Sequence, residues 1–173
     1  MKRWKQRVTA ACPRCGHRVE DSTHVLECEA AGAVAEWEIA TRKMQEWLQC
    51  QDSCPALAEL VIRVLTNWKD KSPVLYDSEL DFPGMRRLMQ SQTQIGWRLF
   101  LDGCVALEWA KVQQRYYRWV SSLKLGSKWV EGLIKQLWDV EFSAWEHRNR
   151  VLHNTPLAEI LSGELSSDRS LRR

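Results

Sequence analysis

Near the start of the chain, Cys12-Pro13-Arg14-Cys15-Gly16-His17 is followed by Glu20-Asp21-Ser22-Thr23-His24 and then by Cys28. Cysteine and histidine at such short spacing are metal-ligand types. Two cysteines separated by two residues can clasp one ion from a tight turn. Gly16 allows the positive φ such a turn often needs, and amides freed there can point at the thiolate sulfurs. His24 and Cys28 lie four positions apart, so one helical turn puts them on the same face, with Asp21 or Ser22 as its N-cap. Cys12, Cys15, His24 and Cys28 together make a Cys3His set, a soft-to-borderline donor group that suits Zn2+. Four protein donors close the shell, so the expected metal is structural. His17 is the competing ligand. It sits two positions after Cys15, from where a tetrahedron is harder to close, and the sequence leaves the choice open.

A head of this size needs such help, because below roughly 40 residues a domain usually depends on a metal or disulfides. The other cysteines, Cys50, Cys54 and Cys104, read as structural thiols, since no second ligand pair lies near them in sequence. The N-terminus lacks the apolar core of a secretory signal. The expected setting is therefore intracellular, nuclear or cytoplasmic, where thiols stay reduced.

A second pattern lies in the other half of the chain. Lys111, Arg115 and Arg118 fall at i, i+4 and i+7, beside Tyr116, Tyr117 and Trp119, and Lys124, Lys128 and Lys135 extend the charge. Basic groups interleaved with aromatics suit nucleic-acid phosphates and bases. The formal net charge of +3 hides a zoning of the same sense. Residues 1–18 carry six basic groups and no acid, residues 19–84 are strongly acidic, and residues 85–150 carry eleven basic against six acidic groups. Arg3, Lys5, Arg7, Arg14 and Arg18 at the head join Lys111, Arg115 and Arg118 as candidate nucleic-acid contacts, with RNA or DNA as the expected partner. Glu146, His147 and His153 could tempt a catalytic reading, yet spacing ties no nucleophile or second carboxylate to them. No enzymatic activity and no small-molecule substrate are expected. Arg148 and the two histidines suit the negative end of a helix, and Asn149 can hydrogen-bond a neighbouring element.

The elements that must position these groups read as helices. Val34, Trp37, Thr41, Met44 and Leu48 recur at helical spacing over about 30–49. Pro55 opens a second helix, whose stripe of Leu57, Leu60, Val61, Val64, Leu65 and Trp68 ends near 69. Residues 70–84 read as a loop, then a helical turn over 85–90. Ser91 and Gln94 resemble a capping box opening a long third helix to about 122. On it, Gly96, Gly103 and Ala110 form a small-residue lane, with Ile95, Leu99, Phe100, Leu101, Val105 and Leu107 buried. A fourth helix runs from Lys128 to about His153, with Trp138, Trp145 and Leu152 on one face, and a short one is expected over 156–161. The ten tryptophans, against on the order of two or three in an ordinary chain this long, are read mainly as core. No strand-like alternation appears after residue 30.

The expected fold class is all-α, a bundle of about four helices with a small N-terminal zinc knuckle. The expected divisions are the knuckle and its basic arm over 1–29, the helical bundle over 30–161 and a disordered tail over 162–173. No membrane span is expected, because Asp102 and Gly103 interrupt even the most apolar stretch, Leu99 to Leu107.

These residues carry a resemblance. Cys12-x2-Cys15, then Glu20, then His24-x3-Cys28 resembles the zf-RVT-type zinc-binding domain that follows the reverse transcriptase in non-LTR retrotransposons. Gln94-Ile95-Gly96-Trp97, Trp109, Gln113, Tyr116, Trp129, Leu133-Ile134, Leu137-Trp138 and Trp145-x2-Arg148-Asn149-x2-Leu152-His153 are similar to the C-terminal end of the same polyproteins. The resemblance spans about residues 10–153. It implies a part that holds template or target nucleic acid for the polymerase. No Tyr-x-Asp-Asp occurs, and the only adjacent carboxylate pair is Glu20-Asp21. The expectation is thus a non-catalytic remnant of such a C-terminus that contacts RNA or DNA non-specifically. The alternative is a protein-interaction scaffold with a structural zinc site.

Overall fold

The computed structural model describes residues 10–75 and 82–154. Arg3, Lys5, Arg7, the expected helix over 156–161 and the expected tail over 162–173 lie outside the described residues. Within them the protein is all-helical, with seven helices and no strand: α1 Ser22–Glu27, α2 Ala31–Cys50, α3 Pro55–Lys69, α4 Met85–Ile95, α5 Arg98–Leu101, α6 Leu107–Trp119 and α7 Gly126–Asn154. No helix among the described residues is long and apolar enough to cross a membrane.

Helices α2, α3 and α7 form where the apolar spacing places them. Pro55 occupies the first turn of α3, where its missing N–H costs nothing, and its stripe of Leu57, Leu60, Val61, Val64 and Leu65 is buried. The expected long third helix does not form. Gly96 and Gly103 take φ of +104° and +85°, values that L side chains avoid. The backbone there leaves the helix, giving α4, the single turn α5 and α6. Helical spacing of small residues is therefore a spacing of breaks here, and Ser91 lies inside α4 rather than at its start. The same breaks turn Ile95, Leu99 and Leu107 outward, against expectation, while Phe100 and Leu101 stay buried.

The chain divides into two compact units, one of residues 10–34 with 144–154 and one of residues 35–143 among those described. The sequence ended the head at residue 29, but the end of α7 belongs to the same unit. In the larger unit the core is built on aromatics. The Phe100 and Trp109 rings stack at 5.0 Å, Trp109 and Trp129 at 6.5 Å, and Trp47 lies 5.9 Å from Trp129. Two fully buried glutamines close the turns around it. Gln92 accepts from the Ala106 amide and the Trp109 indole and donates to the Cys104 carbonyl. Gln113 accepts from the Cys54 amide and donates to the Asp52 carbonyl. Tyr117 and Trp129 also donate to this 51–54 connection, at the Gln51 carbonyl and the Ser53 hydroxyl. A buried amide so satisfied holds irregular backbone in place.

Candidate metal centre

Residues 12–17 fold as a tight turn closed by two backbone bonds, Gly16 N–H to the Cys12 carbonyl at 2.9 Å and Cys12 N–H to the His17 carbonyl at 2.8 Å. Gly16 supplies the expected positive φ, +73°. The Arg14 and Cys15 amides point at the Cys12 sulfur and the His17 amide at the Cys15 sulfur, the donor arrangement expected of thiolates held by one turn. The second ligand pair comes from α1. Asp21 caps it, its carboxylate accepting from the His24 amide at 2.7 Å, and Cys28 sits at its C-terminal end.

The four ligand atoms of Cys12, Cys15, His24 and Cys28 lie within 4.8 Å of one another. The Cys12 and Cys28 sulfurs are 3.9 Å apart, and the Cys15 sulfur is 3.3 Å from His24 Nε2. A tetrahedron with Zn–S of 2.3 Å and Zn–N near 2.05 Å has S···S and S···N edges of about 3.8 and 3.5 Å. The group can thus hold a metal ion of that size. His17 is outside it. Its Nδ1 donates to the Val19 carbonyl at 2.9 Å and its ring stacks on His24 at 4.6 Å, so it steadies the ligand ring. Burial pushes the Cys12 thiol up to about 11. At Cys15 burial acts in the same direction, but the His17 amide, the neighbouring Cys28 and Cys12 thiols and the Arg14 charge outweigh it and lower the thiol. None of the six cysteines is in a disulfide.

No protein-family model matches the chain, and no curated protein or solved structure matches it either.

Behind the ligands lies a pair that the sequence left in separate motifs. Glu20, 2% exposed in its side chain, and Arg148, 13% exposed, form an ion pair at 2.8 Å, with Arg148 Nε also donating to Glu20 at 2.9 Å. Arg148 further donates to Asn149 Oδ1 at 2.8 Å. Arg148 thus serves the head rather than the helix terminus expected from sequence. Arg14 acts likewise. Its guanidinium donates to the Val25 carbonyl at 2.6 Å and the Ala144 carbonyl at 3.4 Å, a positioning role the sequence did not indicate. Arg18 is exposed.

In the larger unit, Lys111, Arg115 and Arg118 are all exposed on α6. Lys111 pairs with Glu108 at 3.3 Å, and Arg115 donates to the Pro83 carbonyl at 2.9 Å. Arg87 on α4, which the sequence did not single out, approaches Glu108 to 3.7 Å. The adjacent Arg86-Arg87 was its available signal. Burial acts to raise the Glu108 carboxyl, but its own backbone amide, followed by the Lys111 and Arg87 cations, holds it below its usual range. Trp119 is 72% exposed beside them. Tyr117, grouped with the candidate aromatics by sequence, is buried, whereas Trp138 and Trp145, read as core, are each about half exposed.

Proposed function

We propose that the protein is a non-catalytic accessory module whose Cys3His site takes one structural Zn2+ and which contacts RNA or DNA without strong sequence preference. The observation that carries the metal reading is the convergence of three sulfurs and one imidazole nitrogen within 4.8 Å of one another, with two of the pairs near the edge lengths of a zinc tetrahedron. Zinc supplies charge that keeps the thiols deprotonated and ties the turn to α1. The chain's own residues do the rest: the turn amides face the sulfurs, His17 stacks on the ligand ring, and Arg148 holds Glu20.

The nucleic-acid reading rests on the exposed cations of α6 and on the resemblance to the C-terminal region of non-LTR retrotransposon polyproteins. Arg18, Lys111, Arg115 and Arg118 would neutralise phosphates, so affinity falls steeply with salt. Arg14, held by two carbonyls, contributes position instead. Metal analysis should give one zinc per chain. A salt titration with labelled RNA and DNA should give a clearly negative slope of log K against log salt, and no binding to either at low salt refutes the reading.

A second reading has an observation of its own. Leu123 is 99% exposed, and Val120 and Leu125 are also exposed on the connection between α6 and α7. An apolar loop of this kind suits a protein partner. A scaffold reading predicts that Leu123→Asp weakens capture of that partner and leaves nucleic-acid affinity unchanged.

A further inference from the structure

The end of α6 combines three features. Trp119 is a large indole with 72% of its surface exposed. Tyr116 and Phe82 hold it, at 5.9 Å and 60° and at 6.4 Å and 52°, so neither ring lies flat on it and a planar group can still stack there. Phe82 and Tyr116 are themselves in edge contact at 6.1 Å, which braces the cluster from two elements. Beside the indole, Arg118, Arg115 and Lys111 share a helix face. Lys111 and Arg118 are seven residues apart, about 10 Å along the axis at 1.5 Å per residue, so the cations form a row that a phosphate backbone can follow rather than a single point of charge. Glu108 is the acid on this face, and Lys111 and Arg87 both approach it.

From this we infer that the α6 end is a binding site for single-stranded nucleic acid, with a base stacked on Trp119 and the flanking phosphates on Arg118, Arg115 and Lys111. The inference rests on the nucleic-acid reading above and narrows it. In a continuous duplex the base faces are already covered by their neighbours, so an exposed indole has nothing to stack on. Unpaired bases offer that face, and stacking on an aromatic is indifferent to base identity.

The test uses the full chain loaded with zinc and two labelled probes of about a dozen nucleotides, oligothymidylate and a duplex of equal length, read by anisotropy across a salt series. Trp119→Ala should weaken oligothymidylate binding on the order of ten- to a hundredfold, leave duplex binding within about twofold and leave the salt slope unchanged. Trp119→Phe should recover most of the loss, because a smaller aromatic still stacks. Arg118→Ala should instead lower the slope by about 0.7 on the single strand. A loss under twofold in Trp119→Ala, or an equal loss on both probes, overturns the stacking site while the broader nucleic-acid reading stands. Absence of wild-type binding to either probe overturns both.

Discussion

The two units reach order by different means. In the smaller one the buried apolar cluster consists of Cys12, Cys28 and Ala33 with Ala30 packed against it. Two of those four residues, Cys12 and Cys28, belong to the group that could hold a metal ion, so the candidate metal centre and the core are nearly the same object. In the larger one Leu57, Leu60, Leu65, Leu88, Phe100, Trp109, Leu133 and Leu137 are all fully buried, and no such ligand-type cluster lies there among the described residues. The first is held by a few strong, directional interactions. The second is held by area, with two glutamines supplying direction at its turns. One failure should therefore undo the first, whereas the second should erode by increments.

Removing the metal tests this contrast most severely. Structural zinc contributes roughly 10–16 kcal/mol of apparent binding free energy in small zinc domains. Chelation, or Cys28→Ser, should abolish hydrogen-exchange protection over residues 12–28 while α3 to α6 keep theirs. Equal loss in both units would show that the larger one also depends on the ion. Next comes Glu20→Ala, which leaves the Arg148 charge without its carboxylate. Breaking a buried pair on one side costs about 3–5 kcal/mol. The double change Glu20→Met with Arg148→Met should cost less, as measured by urea unfolding of the head followed through zinc release.

In the larger unit Gln92→Leu should cost about 1–3 kcal/mol. It leaves the Ala106 amide, the Trp109 indole N–H and the Cys104 carbonyl without their partner. A lowered midpoint with unchanged zinc content would confirm that the two units fail separately. The smallest effect is pH-dependent. Burial, then the nearby Asp102 carboxylate, pushes Glu141 from 4.5 up to about 7. An acid with a raised folded-state pKa is favourable to the fold while protonated. Its contribution is complete below about 4.5 and is lost as pH rises through about 7. Glu141→Gln should come close to wild type in thermal unfolding at pH 4 and exceed it at pH 8; an equal midpoint at both values would count against the raised carboxyl.

The site was more legible than the fold. Cys-x2-Cys, a glycine after it and His-x3-Cys are local patterns, and local sterics alone decide that such a turn and one helical turn present four ligands. The choice between His17 and His24 was not local. It depended on the Val19 carbonyl and on the stacking of the two rings, which only the folded head supplies. Among the helices, those with a clear stripe and a boundary residue such as Pro55 were readable. The region from Ser91 to Trp119 was not, because a glycine at helical spacing is compatible both with a close-packed lane and with a break.

By itself, then, the sequence determined the grouping of Cys12, Cys15, His24 and Cys28, the all-helical class and the periodicity of α2, α3 and α7, since each depends on neighbours within one or two turns. Tertiary structure decided the rest. It turned Gly96 and Gly103 into breaks, buried Gln92 and Gln113 against loop backbone, set Arg14 and Arg148 to hold the head and left Trp119 outside while Trp109 went in. Those outcomes depend on which distant backbone group or ring arrives to meet each side chain. Periodicity shows which face a residue occupies, but not what covers that face.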